Sequence, residues 1–254
     1  MIRLAGVIGQ AGVGRKGLSL DTLAAPIDRA FGFKRLAAVA LEINSPGGSP
    51  VQSDLIARRI RALADEKQVP VIAFCEDAAA SGGYWLACAA DEIYAMPGSI
   101  VGSIGVVSAG FGFVEAIEKL GVERRVHTAG KSKAILDPFR PEKDEDIAKL
   151  KRIQEDLHDQ FIGWTKERRD GRLKDHDDLF TGAFWTGREA KELGLVDGLG
   201  DRRSVLRERF GEKVRFRATV KPKSKLQRLL GMDALADAIL DRAEEQTLRQ
   251  RLGL

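Results

Sequence analysis

Two hydrophobic periods alternate along the chain. Nearly unbroken apolar runs at residues 2–8, 36–43 and 69–74 predict short strands buried on both faces. Between them Leu23, Ala24, Ile27, Ala30 and Phe31, and then Leu55, Ile56, Ile60 and Leu63, recur every three or four residues, which predicts amphipathic helices over 21–31 and 51–67. Strands alternating with helices make a parallel sheet in an α/β fold the expectation. Small residues at 86–90 suit a tightly packed helix, 92–95 reads as a short strand, and 97–107 mixes small and β-branched residues in the manner of a turn entering another strand. A helix over 113–120 and a strand over 122–127 follow. The longest helical pattern, 142–169, carries Ile147, Leu150, Ile153, Leu157, Phe161 and Trp164 as one apolar stripe. A short helix at 191–195 and a last core helix at 202–210 lead to a basic, strand-like stretch ending at Val220. A linker-like segment, Lys221-Pro222-Lys223-Ser224-Lys225, and an amphipathic helix over 226–252 complete the pattern. The expected organisation is a core of stacked βαβ units with flanking helices over 1–211, and a basic segment with a helical C-terminal tail over 212–254.

Two of the predicted strand-to-helix junctions carry a Gly-Gly pair, Asn44-Ser45-Pro46-Gly47-Gly48-Ser49 and Ala80-Ser81-Gly82-Gly83. Glycine lets backbone approach a ligand closely, and in open α/β sheets ligands bind at the carboxyl edge of the strands. Ser81 sits at that edge with small neighbours and with the free N–H groups of a helix start behind it. Two readings fit: a helix cap, which serine often provides, or an accessible nucleophile. The earlier glycine loop, residues 9–17, fits neither the dinucleotide fingerprint nor a Walker A spacing.

Composition narrows the class. With 44% hydrophobic and 31% charged residues, the 254-residue chain can bury one large core. Its net charge of +4 is uneven, because residues 213–254 hold ten Lys/Arg against five Asp/Glu, while the rest holds 31 against 32 and is near −1. The basic tail is either a solvated helix face or a contact for an acidic surface, anionic lipid or nucleic acid. Cys75 and Cys88 fall in apolar segments as small hydrophobes, with neither a disulfide framework nor a metal-binding spacing around them. Neither a signal peptide nor a run long enough to span a bilayer is found, so a soluble, cytoplasmic protein is expected.

Histidine is scarce, and of His127, His158 and His176 only His127 ends a predicted strand. A Ser-His-Asp triad is therefore weakly supported, and a serine nucleophile would need another base. Lysine serves when burial or positive neighbours make its neutral amine available. Lys131 and Lys133, in a loop of small residues, are both in a suitable place and both read equally well as surface lysines.

Five segments in this order, Ile43-Asn44-Ser45-Pro46-Gly47-Gly48, Ala80-Ser81-Gly82-Gly83-Tyr84, Gly102-Ser103-Ile104-Gly105-Val106, Gly130-Lys131-Ser132-Lys133 and the run from Thr186 to Asp197, make the chain resemble the signal peptide peptidase A family of serine peptidases, the S49 family. The resemblance covers roughly residues 1–210 and implies a core similar to the Clp protease and crotonase folds. It maps the family's nucleophile onto Ser81, its general-base lysine onto Lys133 rather than Lys131, and a serine that orients the lysine onto Ser103. The oxyanion hole would use the N–H groups of Gly82 and of Gly48, with Gly47 as the alternative to Gly48. The resemblance further implies an endopeptidase for extended peptides or unfolded protein, assembled as a tetramer or octamer; no cofactor is expected, since no His/Cys/carboxylate cluster has metal-ligand spacing. No nucleic acid partner is expected, and the basic tail is the candidate for peripheral membrane contact. The family's usual N-terminal membrane segment has no counterpart here, which leaves the substrate open. The rival readings are an acyl-CoA enzyme of the crotonase type and a non-catalytic scaffold of the same fold.

Overall fold

In a computed structural model, residues 1–9, 17–130 and 132–219 can be described. They fall into two compact units: one made of residues 1–105 with the chain from Phe161 onward, the other of residues 106–160.

The first unit opens with β1 (Ile2–Ala5), α1 (Leu20–Phe31), β2 (Val39–Ser45), α2 (Pro50–Lys67) and β3 (Val71–Ala80). Local chemistry sets the helix starts. A reciprocal Ser19/Thr22 capping box begins α1, and Ser49 accepts from the Gln52 N–H with Pro50 at the first turn of α2. The unit continues with α3 (Gly82–Ala87), β4 (Glu92–Ala95) and β5 (Ile100–Gly102). After the second unit it resumes with β6 (Phe184–Thr186), α6 (Gly187–Glu192), β7 (Gly198–Leu199) and α7 (Arg202–Phe210).

The sheet runs β1-β2-β3-β4-β7, all parallel; β5 pairs in parallel with the far end of β3 and antiparallel with β6. Strand β3 organises this layout. Its partner β2 steps two residues, from Ile43 to Ser45, while β3 steps four, from Cys75 to Ala79. The surplus at Glu76 and Asp77 divides β3 into a first half that pairs with β4 and a last three residues that pair with β5. Fully buried Leu4, Leu41, Ile43, Ile56, Ile60 and Ile93 belong to the core between sheet and helices.

The run Thr186–Asp197 clamps this core. Thr186 and Glu189 form a capping box, and a Cβ on Gly187 would stand 2.1 Å from the Met96 carbonyl oxygen, so only glycine fits. Arg169, 1% exposed, donates to Gly194 O at 2.8 and 3.1 Å and to both Asp197 carboxylate oxygens at 2.8 and 3.1 Å. Asp197 in turn accepts from the Ile93 N–H at 2.7 Å. The neighbouring Leu195 carbonyl accepts from the Tyr84 hydroxyl at 2.8 Å, which ties the clamp to α3.

The second unit holds α4 (Val114–Lys119) and the first part of α5 (Asp144–Arg168), whose last turns belong to the first unit. Its side chains form a small aromatic group: Phe113 lies 5.5 Å from Phe139 between ring centroids, and the Arg124 guanidinium sits 5.3 Å over Phe139. No described residue of 106–160 is buried.

The strand expected over 122–127 does not form. Only Val122 and Val126 are apolar there; Val122 is exposed, Arg125 pairs with Glu123, and no described strand lies alongside to satisfy its backbone. The strand-like stretch after residue 210 is also irregular through Thr219, held by bonds to Met1 rather than by a ladder. The short helix expected at 191–195 begins earlier, at Gly187, because Thr186 caps it. The glycine-loop residues 10–16, Lys131, the linker at 221–225 and the terminal helix expected over 226–252 lie outside the described residues. No helix among the described residues is long and apolar enough to cross a membrane.

Candidate active site

Strand β3 delivers Ser81 to the carboxyl edge of the sheet in an uncommon conformation, φ 51° and ψ −124°. A non-glycine residue there costs about 1–3 kcal/mol and persists only when its surroundings hold it. The holding groups are backbone: the Ser81 N–H donates to Gly102 O at 2.8 Å, and the Ser81 carbonyl accepts from the N–H groups of Tyr84 and Trp85 at 2.9 and 3.0 Å. The Ser81 side chain makes no capping bond to α3. Its hydroxyl is left at a sharp strand-to-helix turn, the arrangement that exposes a nucleophile.

Ser103 sits beside it. Ala80 and Gly102 are paired across the β3/β5 ladder, so Ser81 and Ser103 are the next residues on neighbouring parallel strands. Ser103 also has a positive φ, 53°, and its N–H donates to Ala183 O at 2.7 Å.

The Pro46-Gly47-Gly48 turn presses against the same point. It is pinned by Ile8, whose N–H donates to Gly47 O at 2.9 Å and whose carbonyl accepts from Ser49 N–H at 2.8 Å. Buried Ser45 adds a bond from its hydroxyl to Gly6 O at 2.7 Å and accepts the Gly47 N–H at 3.2 Å. A Cβ on Gly47 would lie 2.7 Å from the Ser81 Cβ, and one on Gly82 would lie 2.5 Å from the Ser53 hydroxyl and 3.4 Å from the Gly48 nitrogen. Both glycines are thus required by close approach. Among the described residues, the N–H groups of Gly48 and Gly82 have no hydrogen-bond acceptor, whereas that of Gly47 is taken by Ser45. This favours Gly48 over Gly47 as a donor to a bound oxygen.

Lys133 belongs to the second unit. It lies in a turn, its N–H donating to Gly130 O at 3.2 Å, and it is exposed. His127 is exposed in the same unit. The carboxylates nearest Ser81 along β3 are engaged: Glu76 with Arg3 at 3.0 Å and Asp77 with the Asn44 amide at 2.7 Å. No group of three or more His, Cys, Asp or Glu among the described residues could hold a metal ion.

One supporting group was not anticipated from the sequence. The last turns of α5 cover the end of α3, where Trp164 Nε1 donates to Trp85 O at 3.1 Å and Arg168 to Cys88 O and Ala90 O at 3.0 and 3.3 Å. The Phe161 ring packs 4.8 Å from that of Trp85. The stripe of α5 signals burial, but nothing in its spacing signals that Trp164 satisfies a carbonyl of the helix that Ser81 opens and Arg168 two carbonyls of the turn that follows it.

The model of the family described as Peptidase family S49 matches residues 64–213. A putative protease of Synechocystis is 32% identical over 87% of this chain and 78% of its own length. The chloroplastic serine protease SPPA of Arabidopsis thaliana is 36% identical over 66% of this chain and 24% of its own. A Brucella abortus protein named as a Na(+)/H(+) antiporter, NhaA, is 52% identical over all of this chain, which spans only 36% of that protein's length.

Proposed function

Because the chain belongs to peptidase family S49, we propose that it is a serine endopeptidase of the signal peptide peptidase A type that cuts extended peptides or unfolded protein with a Ser81–Lys133 dyad. The unprotonated Lys133 amine takes the Ser81 hydroxyl proton as the oxygen attacks the scissile carbonyl. The oxyanion is held by the N–H groups of Gly48 and Gly82, each worth on the order of 3 kcal/mol to the transition state. Lysine then gives the proton to the leaving amine. Water, losing a proton to the now neutral Lys133 amine, attacks the acyl-enzyme, and Lys133 returns that proton to the Ser81 oxygen as the ester bond breaks and the acid product leaves. Ser103 orients the lysine.

The observation that carries this reading is the strained Ser81 turn with two unclaimed N–H groups pressed around it. A cap would have used its hydroxyl on α3, and this one does not. The deciding experiment is labelling with a fluorophosphonate followed by mass spectrometry of the peptides. Modification of Ser81, lost in Lys133→Ala, is expected; labelling elsewhere, or casein cleavage by Ser81→Ala at the wild-type rate, would sink the assignment.

The absence of any buried described residue in 106–160 supports self-association, as a tetramer or octamer with residues 1–211 as the catalytic body. The segment 212–254, with its excess of basic residues, would meet the membrane periphery from the cytoplasmic side.

A further inference from the structure

The edge of the sheet opposite Ser81 holds a cavity of about 460 Å³, against the start of β2. Its floor is apolar: Leu36, Ala38 and Ala40 lead into β2, and Leu206 and Phe210 come from α7. Lys34, Arg35, Arg215 and Arg217 line it as well, and no carboxylate does. Among the described residues none of these four cations has an ion-pair partner. Glu42, two residues beyond Ala40 on β2, is taken by Arg202 at 3.0 Å.

The wall that carries Arg215 and Arg217 is fastened down. Thr219, 2% exposed, bonds through its N–H and hydroxyl to Met1 O at 3.2 and 3.1 Å, and its own carbonyl accepts from Arg29 at 2.8 Å. The Arg217 guanidinium lies 5.5 Å over the Phe33 ring, which orients it at the cavity's side.

We infer that this cavity binds a long-chain carboxylate, with the alkyl chain on the floor of Leu36, Ala38, Leu206 and Phe210 and the head group between the four cations. The volume lies in the range of single small-molecule pockets, and its concave apolar floor is of no use to a nucleic acid backbone. The four cations are solvent-exposed, and with no carboxylate among them they set up a positive field over the cavity that favours an anion, while the apolar floor favours a tail.

The test is calorimetric titration of the whole chain at low salt with decanoate, decanol and acetate. Decanoate is expected to saturate at one site per chain, with decanol and acetate each weaker by about tenfold or more, since each lacks one half of the recognition. Arg35→Ser combined with Arg217→Ser should weaken decanoate by about tenfold while leaving decanol unchanged. Acetate binding as well as decanoate, decanol matching decanoate, or saturable binding only to anionic vesicles or acidic peptides would each overturn the inference. The comparison of the three ligands uses the unaltered protein, so it stands even if the double variant fails to fold.

Discussion

The two units differ in how they are stabilised. The first buries Leu4, Ile43, Ile56 and Ile60 completely and even removes Arg169 from water. In the second, Phe111 is 81% exposed, Leu120 76% and Val107 73%, and no described residue is buried. A segment of that size without a core of its own gains little from folding alone. The contrast separates two tasks. A rigid scaffold holds the strained serine and the two amides, where fractions of an ångström matter. The proposed base rides on a segment whose stability must come from packing outside itself.

The largest expected effect asks whether both units serve one chemistry. Ser81→Ala, in the first unit, and Lys133→Ala, in the second, should each lower kcat by about a thousandfold or more on a fluorogenic peptide. The wild-type rate should rise with pH as an amine loses its proton; in Lys133→Ala that rise should vanish, and in Lys131→Ala it should remain. A rise that survives in Lys133→Ala but is lost in Lys131→Ala would move the base to Lys131.

Next in size is the comparison of ion pairs. Arg169→Met removes the guanidinium from the Asp197 carboxylate, which keeps only the Ile93 N–H and the more distant Arg172, and takes both of its bonds from the Gly194 carbonyl inside the first unit, at a cost of about 3 kcal/mol in urea unfolding. Arg125→Met breaks the 2.6 Å pair with Glu123 in the second, yet both side chains are solvent-exposed, and the change should stay within about 0.5 kcal/mol. Equal effects would mean that the two units are not so differently built.

The same division governs what could be read from the sequence. Where burial is complete the period shows through: the helices expected at 51–67 and 202–210 appear as α2 and α7 within a residue. β3 continues to Ala80, past the expected end at Phe74, because Ala78–Ala80 have little intrinsic strand preference and are held by pairing with β5. No local pattern reveals that pairing. In the second unit, where no described residue is buried, the apolar period carries little information, and the strand expectation over 122–127 rests on only two apolar positions. The Gly-Gly turns and Ser81 stand out as motifs, but the positive φ at Ser81 and Ser103 is held by long-range bonds that their N–H groups donate to Gly102 O and Ala183 O.

A smaller effect concerns the thiols, both in the first unit. Burial pushes Cys75 and Cys88 up to about 12, against about 8.5 in an unfolded chain. The unfolded state therefore loses these protons first. The thiol contribution to stability is complete below about pH 8.5 and declines as pH rises toward 12. Iodoacetamide at pH 8 should leave the native protein unmodified and label both cysteines once urea unfolds it. Rapid native labelling would show that the core opens locally.

The smallest expected change in chain stability comes from the second unit's exposed face. Phe111 contacts Phe113 at 6.3 Å between centroids and is otherwise in solvent, so Phe111→Ser removes almost no buried area within the chain. Unfolding of the isolated chain should shift by no more than about 0.5 kcal/mol. If this face is covered in an assembly, the same substitution removes a large apolar anchor from the interface, and sedimentation should move toward smaller species at working concentration. The pair of measurements separates the alternatives. Lost stability without a change in assembly would mean that Phe111 belongs to a core of the second unit. Altered assembly with stability intact would mean that the second unit borrows its core from another copy.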